Sequence, residues 1–185
     1  MSLLTKNLII IPGLGDDHPA YHLGASLFRR YGYRAHISIV GWDASPSSYA
    51  ERKGKVLSLI DSLSGDIYIL GVSAGGPMAL AVFADRKSRV AKVATLCSPY
   101  TYLDDHQGEL LGSALSELAP SLARLSDRFS DIRSYHGIYD GVVQTRLTRY
   151  EGIQDVTIPF VKHALTIFLG LTLYVPSITR FFRKP

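Results

Sequence analysis

Ser73 lies inside "GVSAG", residues 71 to 75, where small residues flank a hydroxyl on both sides. A serine oxygen attacks a carbonyl usefully only if a base takes its proton and a third group orients that base. Two later segments carry such groups. Asp140 stands in "HGIYDGVV" between Gly137 and Gly141, and His163 stands in "PFVKHALTIF". Serine, acid, histidine is a chain order that serves acyl transfer when each residue sits at a loop after a strand. The alternative reading of the pentapeptide is a plain βα turn with Ser73 capping a helix, and that reading requires no partners elsewhere. The glycine-rich "IIPGLGDD", residues 10 to 17, is either an ordinary turn or a loop whose backbone closely approaches a reacting group. It matches neither G-x-G-x-x-G nor a G-K-[ST] ending, so it does not read as a nucleotide cradle.

Elements with the right punctuation surround these residues. "NLIII" is a strand buried on both faces, stopped by Pro12 and Gly13. A helix is expected over 19–31, with Asp17 or His18 at its cap and Leu23, Leu27 and Tyr31 at helical spacing. A strand over 34–40 precedes a helix over 45–63 capped by Ser45, with Pro46 at its first position. "DIYILGV" is the third strand, leading into a helix that starts near Ala74, and "KVATLC" is the fourth. The stretch 98–130 reads as a helical excursion broken at Pro120, whose leucines suit either an apolar pocket around 100–130 or a helix packed on the core. Strands over 131–140 and 154–159 and a final buried helix containing "ALTIFLGLTLYV" complete the chain. Strands alternating with helices imply one doubly wound, mostly parallel α/β sheet of about six strands, a single domain over 1–185.

With a strand before it and a helix after it, "GVSAG" resembles the nucleophile turn of the α/β-hydrolase superfamily, and the resemblance spans nearly the whole chain. It implies Ser73 as nucleophile, His163 as general base and then acid, and Asp140 as the carboxylate that fixes the imidazole. It also implies an oxyanion hole formed by the backbone N–H groups of Ala74 and Leu14. The implied activity is cleavage of an ester, thioester or related acyl bond, without a metal or other cofactor. The alternative is the same fold kept as a non-catalytic binding module. Family members commonly begin with two further strands, so "NLIIIPGLG" matches their third. Asp104 and Asp105 are rival acids, and His18 and His22 are candidates for substrate contact. His136, only four residues from Asp140, reads as a strand-end residue.

Composition narrows the partners. The 185 residues carry a net charge of +4, with the basic residues at separated element ends, which suits solvated helix termini and not a nucleic-acid stripe. Cys97 is the only cysteine; an intramolecular disulfide is impossible, and a buried small residue is its expected role. The N-terminal apolar run is too short for a secretory signal, so a cytoplasmic setting is expected. The apolar run 164–175 is shorter than the roughly 20 residues that span a bilayer. The tail "ITRFFRKP" pairs aromatic and basic residues, suiting a docked helix or weak attachment to an anionic membrane surface.

Overall fold

A computed structural model describes residues 5–42, 48–101 and 109–184. Six strands, β1 (Lys6–Ile11), β2 (Tyr33–Ile37), β3 (Asp66–Val72), β4 (Val90–Leu96), β5 (Ile132–Tyr139) and β6 (Gln154–Val161), form one sheet in the order β2-β1-β3-β4-β5-β6. Every neighbouring pair is parallel. The helices between them are α1 (Pro19–Arg30), α2 (Tyr49–Ser62), α3 (Gly75–Asp85), α4 (Glu109–Ser116), α5 (Leu118–Arg124), α6 (His163–Gly170) and α7 (Val175–Arg183).

The central strands read as unbroken apolar runs because both sheet faces are covered. Their side chains alternate between two cores. Ile9, Ile11, Ile67, Ile69 and Val93 enter a cluster with α2, α3, α4 and α5. Leu8, Ile10, Tyr68, Leu70, Val72 and Leu96 enter a second cluster with α1, α6 and α7. Helix α3 is buried from Gly75 to Ala84, at the centre of the first layer. The chain leaves β1 toward β2 on one side and reaches β3 on the other, so a crevice opens at the carboxyl ends of β1 and β3.

Several expected details differ. Strand β2 stops at Ile37 because the N–H groups of Val40, Gly41 and Trp42 turn to the Asp16 carboxylate at 3.0, 2.6 and 3.0 Å. Helix α2 begins at Tyr49; its cap is Ser48, whose hydroxyl accepts from Glu51 N–H at 3.3 Å while the Glu51 carboxylate accepts from Ser48 N–H at 2.9 Å. That reciprocal box fixes the start; Ser45 and Pro46 lie outside the described residues. Helix α1 buries Ala20, Tyr21, Gly24, Ala25 and Phe28, leaving Leu23 and Tyr31 exposed. Gly24 selects that face: a Cβ there would lie 3.2 Å from Leu171.

In the excursion the break falls at Glu117, and Pro120 sits in the first turn of α5, where its missing N–H is harmless. The final apolar run is two helices bent by 57°, with Pro176 in the first turn of the second. Among the described residues, no single helix is long and apolar enough to cross a membrane. Phe181 and Phe182 of the tail are buried in the second core, Phe182 against Tyr33 and Tyr68 and Phe181 against Phe182.

Candidate active site

At the end of β3 the chain must reverse into α3 within two residues. Ser73 takes a left-handed φ of 50° to do so, its N–H bonded to Leu96 O at 2.8 Å. This conformation costs an L-residue roughly 1–2 kcal/mol. The turn is possible only with bare backbone around it. A Cβ on Gly71 would lie 2.7 Å from the Ala79 Cβ, and one on Gly75 would lie 2.6 Å from Pro12 O. The serine hydroxyl is thereby lifted above the sheet edge.

Asp140 follows β5. Its Oδ1 accepts the N–H groups of Val142 and Val143 at 2.8 and 3.0 Å, which pins the carboxylate in its own turn. His163, the first residue of α6, follows β6. Its Nδ1 lies 2.6 Å from Asp140 Oδ2 and its Nε2 lies 2.9 Å from Ser73 Oγ. Three side chains 90 and 23 residues apart in sequence thus make one hydrogen-bonded line. Asp140 is 3% exposed. Burial pushes its carboxyl upward, but the His163 hydrogen bond and the two backbone donors outweigh this and hold it below the usual carboxylate range. Asp104 and Asp105 lie outside the described residues.

The loop after β1 packs against this line. A Cβ on Gly13 would come 2.7 Å from the Ser73 Cβ and 3.3 Å from Ala74 N. Gly13 N–H donates to the Tyr21 hydroxyl at 3.1 Å, Trp42 Nε1 donates to Pro12 O at 3.0 Å, and Asp16 gathers the three amides of 40–42. Arg52 adds hydrogen bonds to the carbonyls of Val40 and Gly41. The loop is clamped from both sides, and its Leu14 N–H has no acceptor among the described residues; the same holds for Ala74 N–H. Asp16, Tyr21 and Trp42 escaped sequence reading. No spacing rule marks Asp16 or Trp42, and Tyr21 signals only as one member of the buried stripe Tyr21, Ala25, Phe28.

A cavity of about 280 Å³ opens beside Ser73 and His163. Leu14, Ala20, Tyr21, Val142, Ile167 and Phe168 make its wall predominantly apolar. Its rim is apolar too, with Leu14 44%, Val142 67% and Phe168 43% exposed. None of the described excursion residues lines it: Leu111, Leu115, Leu118 and Leu122 pack into the first core. His18 lines the cavity while its Nδ1 caps α1 by accepting from Ala20 N–H at 3.2 Å. His22 is an exposed partner of Asp17 at 2.9 Å, and His136 is a buried β5 residue bonded to Asp155 at 2.8 Å.

Cys97 is buried as expected, but its position is not ordinary. It has a left-handed φ of 52°, and its sulfur, an Asp140 oxygen and a His163 nitrogen lie within 4.8 Å of one another. Burial, reinforced by the Asp140 charge, pushes the thiol far above its usual range. A metal requires the thiolate, and Asp140 and His163 are already turned upon each other. This donor set fits a packed, protonated thiol and not a metal centre.

No protein-family model matches the chain, and no curated protein sequence matches it. Solved structures do. A structure from work on LipS and LipT, two metagenome-derived lipolytic enzymes, aligns with TM-score 0.72 and 13% identity over 99% of this chain and 97% of that one. Est1E from Butyrivibrio proteoclasticus aligns with TM-score 0.70 and 17% identity over 96% and 87%. A pyrethroid hydrolase from Sphingobium faniae JZ-2 gives TM-score 0.71 and 16% identity over 98% of each chain. Likeness at such identities speaks to architecture: with its six-stranded parallel sheet and flanking helix layers, the chain has the α/β-hydrolase fold.

Proposed function

We propose that the chain is a serine hydrolase that cleaves an ester, thioester or related acyl bond through an acyl-enzyme on Ser73. The observation that carries this reading is the line Ser73 Oγ, His163 Nε2 and Nδ1, Asp140 Oδ2, at 2.9 and 2.6 Å. An ionised carboxylate can only accept, so His163 Nδ1 carries the proton and Nε2 presents its lone pair to the serine hydroxyl. Ser73 Oγ attacks the substrate carbonyl carbon as its proton moves to Nε2. The resulting imidazolium is stabilised by Asp140 and then protonates the departing alkoxide or thiolate. Water repeats the sequence in reverse roles and releases the acid.

The tetrahedral intermediate places negative charge on the former carbonyl oxygen. The N–H groups of Ala74 and Leu14, which have no acceptor among the described residues, would receive it, and each donor in such a hole is typically worth about 2.7–4 kcal/mol. The apolar cavity suits an uncharged acyl or alcohol portion. The hydrolytic activities named for the lipolytic enzymes and the pyrethroid hydrolase belong to those proteins; the shared fold supports a hydrolytic reading of this chain.

A fluorophosphonate probe tests the reading. The native protein should be labelled, and the folded Ser73→Ala variant should not be. The native protein should also hydrolyse p-nitrophenyl esters, with a drop of at least about 10³-fold in the variant. A folded native protein that neither labels nor turns over would instead be a binding module.

A further inference from the structure

Tyr21 lies in the first turn of α1, 5% exposed, and its hydroxyl reaches the loop after β1. Its oxygen accepts the Gly13 N–H at 3.1 Å. Gly13 is the residue pressed on the serine turn, where a Cβ would meet Ser73 Cβ at 2.7 Å and Ala74 N at 3.3 Å. The tyrosine also lines the cavity together with Ser73, His163 and Leu14. A phenol has one proton and lone pairs on a single oxygen. Gly13 uses a lone pair; the proton has no acceptor among the described residues. A buried hydroxyl with nothing to donate to is costly, and this one belongs to a residue that shares a cavity wall with Ser73, His163 and Leu14.

We propose that Tyr21 is a catalytic residue whose phenol O–H donates a third hydrogen bond to the oxyanion, alongside Ala74 N–H and Leu14 N–H. The inference rests on the acyl-enzyme reading of Ser73. No proton changes owner in this step; the hydrogen bond shortens as the carbonyl oxygen becomes an anion. The Gly13 N–H, by donating to the phenol oxygen, polarises the O–H outward, so the two bonds reinforce each other. Burial, with the Asp16 charge adding to it, outweighs the lowering effect of the Gly13 N–H and holds the phenol above its usual range, so the donor keeps its proton at neutral pH. A ground-state carbonyl gains little from this bond and the tetrahedral state gains much, so its loss appears in kcat and not in KM.

The test is Tyr21→Phe in p-nitrophenyl ester hydrolysis, with folding checked by thermal denaturation. A fall in kcat of about tenfold or more with KM unchanged is expected, and a smaller fall overturns the proposal. Phenylalanine also removes the acceptor for Gly13, so a second replacement separates donation from positioning. Site-specific 3-fluorotyrosine at position 21 is a stronger donor and a weaker acceptor. It should hold kcat at or above the native value; a value below native means the oxygen matters only as an anchor for Gly13, which overturns the proposal. Ser73-dependent fluorophosphonate labelling with an unaffected Tyr21→Phe variant removes this inference alone. Labelling that survives Ser73→Ala removes the reading beneath it as well.

Discussion

The two layers that sandwich the sheet are built differently. The α2, α3, α4 and α5 layer is a continuous apolar mass in which Met78, Leu80, Phe83, Leu115, Leu118 and Leu122 are all nearly or fully buried. At the crevice it supplies the first turn of α3 and, from α2, Arg52 on the carbonyls of Val40 and Gly41. The α1, α6 and α7 layer is also apolar at its base, with Phe28, Leu171, Ile178 and Phe182, but it supplies Tyr21, His163 and most of the cavity wall. One layer is mainly packing and the other also lines the cavity. Stability and reactivity should therefore respond to different substitutions.

The largest separation should come from Asp140→Asn. The side chain keeps its shape but can no longer hold the tautomer or stabilise an imidazolium, so kcat should fall by about 10⁴-fold with little change in fold. The same substitution sharpens a pH effect. Because the folded Asp140 carboxyl lies below its ordinary value of 3.8, the native protein holds a stabilising contribution above that value and loses it as pH falls through the lower, folded one. Denaturant unfolding of the native protein should weaken over that acidic interval, and the asparagine variant should lack this component.

In the other layer, Leu122→Ala empties a fully packed position on α5. A loss of about 2–5 kcal/mol is expected in denaturant unfolding, while kcat per folded molecule stays at the native value. A large fall in kcat would erase the division between the layers. The smallest effect concerns the serine turn itself. Ser73→Gly and Ser73→Ala both remove the hydroxyl, yet only glycine relieves the left-handed strain of roughly 1–2 kcal/mol. Against this stands the extra freedom of glycine in the unfolded chain, about 0.4–1 kcal/mol. Ser73→Gly should be the more stable of the two by about 0.5–1 kcal/mol in denaturant unfolding; a Ser73→Ala variant more stable than Ser73→Gly by about 0.4–1 kcal/mol would mean that the turn stores no strain.

How much of this was legible depended on the range of the interaction. Strands β1, β3 and β4 announce themselves because burial on both faces demands uninterrupted apolar residues. Gly71, Ser73 and Gly75 are local punctuation, and the chain order of Ser73, Asp140 and His163 is visible along the sequence. What distant contacts decide was not visible. Strand β2 ends early because Asp16, more than twenty residues away, draws off the amides of Val40, Gly41 and Trp42 that follow it. Helix α1 turns its small face inward because Leu171 occupies the space a larger residue would need. The leucines of the excursion suit either a pocket or a helix packed on the core, and only distant contacts decide: the described ones complete a core, and the cavity is walled by α1 and α6. Two local signals were available and passed over: the Ser48 and Glu51 capping pair, and Pro176 where the last helix begins.

Helix α6 begins with His163 and, one turn on, sends Ile167 and Phe168 into the cavity. On the proposed reading, the imidazole that takes the serine proton and the wall that meets the ligand are therefore mounted on one rod. A bulkier guest that pushes this rod aside carries the imidazole away from Ser73 in the same movement. If Ser73 and His163 act as proposed, poor fit would thus break the proton relay directly, and selection by size would need no separate moving part.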